Sequence, residues 1–455
     1  MSLGPGSALA VADDVCRGRR RASDVVGEAL ERIAVRNPAV NAVVTVDPTD
    51  SLRQALAVER RLAAGEHPAL AGVPVVVKDA IWVAGWRVTQ GSRLYSDFTA
   101  PRDNVAVARL RAAGAVVVGM ANMSEFGCKG VTSNLLHGTT RHPLDPELTP
   151  GGSSGGCASA LGADLVPLAL GTDGGGSARR PAAHAGVVGF KPSGGILANA
   201  PGFPGGGSLT SVLAPMARSV ADVAALFAAL LGRDPADPLS VTLPIQGDVR
   251  PPRIAFAGRL GLDVPVDDDV AAAVAGAAAR FAEAGYTVVH AEPDWPDGAS
   301  ERALMPLQWD GLARLHGDAW RRDPGPFDPY IADQIGRGLD QSAADVAAAR
   351  AMAAAVARAA DLFFARYDLV VGPTTPCVAW RHERLGPAEI AGRPVDDRAH
   401  AAFTPFFNHA LASAISIPCG TDRRGLPIGL QIAGPRFADR RVLALASDAE
   451  RLLAT

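Results

Sequence analysis

The chain has 455 residues, of which 48% are hydrophobic, 20% charged and 5% aromatic, and its formal net charge is -3. That balance describes an ordinary globular enzyme with a large core, and it gives no electrostatic reason to expect nucleic acid or an anionic membrane as a partner. The five cysteines (Cys16, Cys128, Cys157, Cys377, Cys419) are scattered, with no CxxC pair and no His/Cys spacing suited to zinc. No disulfide framework or metal site is therefore expected, and a reducing cytoplasm fits best.

The N-terminus lacks a basic start followed by an apolar run, and no segment reaches the ~18 uninterrupted apolar residues of a membrane span. Only three of the 44 basic residues are lysine (Lys78, Lys129, Lys191); the other 41 are arginine. Arginine keeps its proton inside proteins, whereas a desolvated lysine can lose it, so among the cations only a lysine could serve as a base.

In chain order, Ser23 before Val26, Ala29, Leu30 and Ile33 predicts a capped amphipathic helix, and a second helix is predicted from Leu52 to Leu62. The β-branched run Val73 to Lys78 predicts a buried strand that delivers Lys78 at its end. Residues 104 to 113 read as a helix stopped by Gly114, and Ala115 to Met120 as a strand. Three prolines make His142 to Pro150 a loop. A tight helix ending near Gly162 follows, then a strand from Leu165 to Leu170 entering GTDGGGS.

Further on, Ser219 with Asp222 caps a helix to Leu231, and Asp267 to Ala284 forms an Ala-rich helix before the strand Tyr286 to His290. Ser342 with Asp345 opens a long helix leading into Asp368 to Val371, and Leu426 to Ile432 precede a last helix from Asp439. The interleaving predicts an α/β layered fold. With no repeat and no sharp composition shift, residues 1 to 455 are expected to form a single domain. Arg233 to Pro252 reads as a Pro-rich connection, and 295 to 400 as the least regular, substrate-determining region.

GGSSGG at 151 to 156 taken alone is a common flexible-loop composition. It also matches GxSxG, with Ser153 or Ser154 as an elbow serine, but that elbow needs a strand just before it, where HPLDPELTP stands. No GxxxxGK[ST] occurs. The second cluster, Gly171 to Ser177, puts three glycines before a serine, so several backbone N–H groups could converge as an oxyanion hole; a Gly-rich turn after a strand is the plainer alternative.

Lys78 in VPVVVKD, PGGSSGG, and GTDGGGSARRPAAHAGVVGFKPS, together with NMSEFG, TSN, GPTTP, AISIPCG and GLPIGLQIAGP, resemble the amidase signature family. The likeness is detailed over about residues 70 to 215 and thin between 235 and 365. It implies that family's fold, a large mixed central β-sheet covered by helices on both faces, and hydrolysis of a small carboxylic acid amide without a cofactor.

Residue by residue, the resemblance implies Ser177 as acylated nucleophile, Ser153 as bridging serine on a cis Gly152–Ser153 bond, and Lys78 as base. It implies an oxyanion hole at Gly174, Gly175 and Gly176 with the Ser177 N–H. Ser154, Thr172, Asp173 and Arg179 match supporting positions. No histidine is needed: His184 lies in an apolar stretch and reads as a packed core residue, and Lys129 and Lys191 read as structural or surface groups.

One departure concerns Ser177-Ala178-Arg179-Arg180-Pro181, where the family commonly shows Ser-Ile-Arg-Ile-Pro. An extended piece would turn Arg179 and Arg180 opposite ways, so Arg180 could bind a substrate carboxylate of the kind a malonamate-like monoamide presents. The family includes stand-alone amidases and the A subunit of glutamyl-tRNA(Gln) amidotransferase. The stretch DPGPFDPYIADQIGRGLDQ, in place of that subunit's SRxxGFGxEVKRR-like run, favours a stand-alone enzyme. An α/β-hydrolase-type esterase, dependent on a histidine, is the outside reading. Oligomeric state stays open, a homodimer included.

Overall fold

The computed structural model describes residues 6–204, 209–242 and 251–454. Eleven strands form one sheet, in chain order β1 (Val43–Thr45), β2 (Pro74–Lys78), β3 (Val116–Ala121), β4 (Leu168–Asp173), β5 (Val188–Lys191), β6 (Val212–Ala217), β7 (Arg253–Phe256), β8 (Thr287–His290), β9 (Leu369–Pro373), β10 (Ser413–Thr421) and β11 (Pro427–Gly434). Their spatial order is β1-β3-β2-β4-β6-β5-β10-β11-β9-β7-β8. The sheet is mixed, with β2 parallel to both β3 and β4, and β4 antiparallel to β6. Every residue of β2 and β3 is buried, so both of their faces are covered. That is why these strands read as unbroken apolar runs rather than alternating ones.

The helices Val105–Ala112, Gly155–Gly162, Val220–Leu230, Asp268–Glu283, Ala343–Phe364 and Asp439–Leu453 fall where the sequence predicts them, within a few residues. Their signals hold at the atomic level: Ser219 Oγ accepts the Asp222 N–H at 3.2 Å, and Ser342 with Asp345 completes a capping box. The short helix that begins in GGSSGG owes its first two glycines to packing, because a Cβ at Gly155 would lie 2.4 Å from Thr132 Oγ1 and one at Gly156 2.3 Å from the Asn122 carbonyl oxygen.

Several expectations are corrected. The helix Ala22–Val40 has Arg21, not Ser23, at its cap; the Ser23 N–H instead donates to Glu59 Oε1 at 2.8 Å. Residues 179 to 185 are not extended but form the helix Arg179–Ala185. Pro181 is tolerated in its first turn, where a backbone N–H would have no intrahelical acceptor. The region 295 to 400 is also more regular than expected, since helices Glu301–Arg322, Pro329–Asp340 and Ala343–Phe364 fill most of it. Pro306 lies inside the first of these, which hides the helix from a reading that treats proline as a stop. Of the connection 233 to 252, residues 243–250 lie outside the described residues.

Candidate active site

Two neighbouring parallel strands bring the site together. Val75, Val76 and Val77 of β2 pair with Leu168, Ala169 and Leu170 of β4, so Lys78 and Thr172 emerge at the same, carboxyl-terminal end, the usual place for sites in α/β sheets. The GGSSGG loop crosses this end. Lys78 Nζ lies 2.7 Å from Ser153 Oγ, 2.9 Å from Ser154 Oγ and 2.8 Å from Thr172 Oγ1. The Gly152–Ser153 bond is cis.

No part of Lys78 is exposed, and burial lowers its pKa to about 8, against smaller raising effects from Cys157, Asp173 and Cys128. All of its hydrogen-bond partners are neutral hydroxyls, so no carboxylate pins it in the charged form. A fraction of neutral amine is therefore present near neutral pH.

Ser177 stands between β4 and the helix Arg179–Ala185, 7% exposed, and its carbonyl oxygen accepts the Ser154 N–H at 3.0 Å. Within the glycine cluster the structure draws a distinction. The Gly176 N–H is taken by Asp173 Oδ1 at 2.8 Å, whereas no described side chain accepts from Gly174, Gly175 or Ser177. Gly176 itself has φ +109°, and a Cβ there would fall 2.1 Å from Thr404 Oγ1. Its place in the site is thus conformational: only glycine lets the turn pass beneath Thr404.

Asp173 and Arg179 form a fully buried pair, Nη2 to Oδ1 at 2.9 Å and Nε to Oδ2 at 3.0 Å. Burial alone would raise the Asp173 pKa, but the Arg179 charge and hydrogen bonds from Arg179 and Asn408 hold it well below the usual carboxylate range. The same carboxylate accepts the N–H groups of Gly176, Ala178 and Arg179, which fixes the turn that carries Ser177. Arg179 reaches further, to Gln431 Oε1 at 2.7 Å and Asn408 Oδ1 at 2.5 Å.

Asn408 and Thr404 were not singled out in the sequence; nothing in FTPFFNH marks them. Gln431 lies in a recognised motif, GLPIGLQIAGP, without having been assigned a role. Lys129 and Lys191 are both buried rather than on the surface: Lys129 pairs with Asp328 Oδ2 at 2.6 Å, and Lys191 Nζ donates to the Pro192 carbonyl at 3.1 Å. Glu125 of the NMSEFG segment accepts the Asp328 N–H at 2.7 Å, and with the Lys129 pair just beyond it this ties the loop to the start of the helix Pro329–Asp340.

The model of the family described as Amidase matches residues 24–443. Among curated proteins, the A subunit of glutamyl-tRNA(Gln) amidotransferase from Symbiobacterium thermophilum is 36% identical, covering 94% of this chain and 93% of its own. The subunit of the same description from Deinococcus radiodurans is 35% identical, over 98% of this chain and 96% of its own. Among solved structures, a bacterial aryl acylamidase of the amidase signature family superposes with a TM-score of 0.90 at 28% identity, covering 98% of this chain and 96% of that one. The peptide amidase of Stenotrophomonas maltophilia gives 0.82 at 27% identity, covering 99% and 98%. With a lysine-centred cluster at the strand ends and a match over nearly the whole length, the chain belongs to the amidase signature family, whose members act on carbon–nitrogen bonds.

Proposed function

We propose that the protein is a stand-alone amidase that converts a small carboxylic acid amide and water into a carboxylate and ammonia through an acyl-enzyme on Ser177. The observation that carries this reading is the fully buried Lys78 amine, with its pKa near 8, at 2.7 Å from Ser153 Oγ. A serine hydroxyl is a poor nucleophile until a base takes its proton, and a desolvated amine can do so near neutral pH.

In the proposed cycle neutral Lys78 takes the Ser153 proton, Ser153 takes that of Ser177, and Ser177 Oγ bonds to the amide carbon. The N–H groups of Gly174, Gly175 and Ser177 stabilise the resulting oxyanion. The C–N bond then breaks as the proton returns through Ser153 to the leaving nitrogen, and ammonia departs. Water, deprotonated through the same chain, attacks the acyl carbon and releases the acid and Ser177. Five thiols without disulfide partners support a reducing, cytoplasmic setting.

The curated relatives support a second reading, a glutaminase subunit working in a complex. Against it stands the sequence of residues 323–341, which has no counterpart of the SRxxGFGxEVKRR-like run expected of those subunits. Family membership and the strandless approach to GGSSGG set aside the α/β-hydrolase esterase.

The test is turnover of small amides by the purified chain alone, quenched for mass spectrometry. The acyl mass is expected on the Ser177 peptide, and Ser177→Ala is expected to lose at least about 10³-fold in rate. Acylation elsewhere would overturn the mechanism. Turnover of glutamine alone, and only with partner subunits present, would favour the second reading.

A further inference from the structure

The residue after Lys78 is a second fully buried ionisable group. No lysine or arginine lies within ion-pair distance of Asp79 among the described residues. Its carboxylate instead gathers the turn at 89 to 91, accepting the Thr89 N–H at 2.9 Å, the Thr89 hydroxyl, and the Gly91 N–H at 3.4 Å. A carboxylate can take all three donors at once, whereas a carboxamide, half of it a donor, cannot. The Asp79 main chain holds the same turn: its carbonyl accepts the Gln90 N–H at 2.7 Å, while its N–H donates to the Ala121 carbonyl of β3 at 3.0 Å.

That turn supports the segment 123 to 131. The Gln90 carbonyl accepts the Phe126 N–H at 3.0 Å, and Ser92 Oγ donates to Glu125 Oε1 at 2.6 Å. Gly91, with φ +64°, approaches so closely that a Cβ there would sit 2.8 Å from the Met123 carbonyl oxygen. The supported segment then packs on the bridging serine. A Cβ at Gly127 would lie 3.3 Å from Ser153 Oγ, and one at Gly152 would lie 2.7 Å from the Lys129 carbonyl oxygen and 3.0 Å from the Val131 nitrogen. The residue that closes β2 behind Lys78 therefore also fixes, through one turn, the wall against which Ser153 stands.

Thr89 Oγ1 has a further neighbour, His137 Nε2 at 3.1 Å, which lies 3.7 Å from Asp79 Oδ2. The Thr89 hydrogen points to Asp79 and the Gly91 N–H donates to Thr89 Oγ1 at 3.1 Å, so the pattern assigns the imidazole a hydrogen on Nε2 that donates as well. The chain runs from His137 through Thr89 and ends on the carboxylate. The exposed Arg87 is the other charge that bears on it, at longer range. Burial, and then the Arg87 charge, push His137 down to about 4, so it is neutral. Burial pushes Asp79 up to about 6, against the hydrogen bonds of Thr89 and Gly91. The Lys78 amine responds to Cys157, Asp173 and Cys128 and not to Asp79, which is therefore not its counter-ion.

We propose that Asp79, in its ionised form, is a positioning residue that sets the reach between Lys78 Nζ and Ser153 Oγ by tying the end of β2 and the seat of Ser153 to one turn. This rests on the amidase reading above and adds to it a group that acts through others and touches no reacting atom. Taking up one proton reverses the chain: the acid donates to Thr89 Oγ1, the Thr89 hydroxyl turns to His137 Nε2, and the imidazole hydrogen moves to Nδ1. The neutral acid then holds the Thr89 and Gly91 N–H groups more weakly than the charged one. A displacement of about 1 Å between reacting groups costs about 100-fold in rate.

The experiment measures kcat and KM on butanamide from about pH 5 to 9 for wild type, Asp79→Asn, Thr89→Val and Thr89→Ser, with circular dichroism at each pH to establish that the chain is folded. In wild type kcat/KM is expected to fall tenfold per pH unit from about 8 to about 6, as Lys78 is protonated, and about 100-fold per unit below that, as Asp79 takes up a proton too. Asp79→Asn is expected to lose about 100-fold in kcat at about pH 8, with KM changed by less than about 3-fold, and to keep the single slope down to about pH 5. Thr89→Val is expected to lose about tenfold in kcat, and Thr89→Ser, which restores the hydroxyl, to stay within about 3-fold of wild type.

A carboxylate that serves stability alone would lower the Tm of Asp79→Asn and leave the kcat of its folded fraction unchanged. That result, or a single slope down to about pH 5 in folded wild type, would overturn the proposal. If Asp79→Asn does not fold, the wild-type profile and the two Thr89 variants decide. Failure of the amidase reading shows itself elsewhere: acylation at a residue other than Ser177, or hydrolysis that survives Ser177→Ala, overturns the mechanism whatever Asp79 does.

Discussion

Replacing Lys78 with methionine is expected to reduce kcat/KM on every amide by roughly 10²–10⁴-fold, the range that a positioned general base contributes, and to leave Tm within a few degrees of wild type. The loss follows from the geometry: methionine fills a similar volume but cannot accept the Ser153 proton. The small change in stability follows from two opposed effects. The folded pKa of Lys78, about 8, lies below the unfolded value of 10.5, so folding releases protons between those pH values and stability rises with pH through that window. At pH 7 the shift costs about 3 kcal/mol, which methionine removes. Set against this, Ser153, Ser154 and Thr172 each lose a partner, at about 1 kcal/mol apiece. The two nearly cancel. Thermal melts and steady-state rates on the same preparation check both halves, and a variant that keeps more than a tenth of wild-type kcat/KM would remove Lys78 from the base role.

The largest stability effect is expected at Asp173. Asp173→Asn leaves the Arg179 guanidinium without its counter-ion in a fully buried setting, and breaking a pair of that kind by removing one partner costs about 3–5 kcal/mol. The depressed pKa has the usual acid consequence: the wild-type carboxylate contributes stability above its unfolded value of 3.8, and that contribution disappears only as pH falls below it. Activity should fall as well, because asparagine offers one acceptor where the carboxylate takes N–H groups from Gly176, Ala178 and Arg179. Tm is expected to drop by roughly 3–5 °C. An unchanged Tm would mean that the buried network does not hold the Ser177 turn.

Much of the site was legible because its signals are local. A β-branched run ending in one of three lysines predicts a buried strand with an amine at its tip, and β2 is that strand. Caps such as Ser219 and Ser342 announce helices through hydrogen bonds closed within three residues. The failures have equally local causes. Arg179 and Arg180 before Pro181 look extended because proline ordinarily ends helices, while the first turn accepts it. The helix at 301 to 322 was hidden by Pro306 in the same way.

What periodicity cannot carry is pairing over long separations. Asn408 meets Asp173 across 235 positions, and Arg398 meets Glu301 across 97.

The central claim, that neutral Lys78 draws the proton of Ser177 through Ser153, is tested most directly by the pH dependence of kcat/KM on a neutral amide such as butanamide. The rate constant is predicted to rise tenfold per pH unit from about pH 6 and to level off near 8, the titration of the buried amine. A flat profile, or one that levels near the ordinary histidine value of about 6.5, would contradict it.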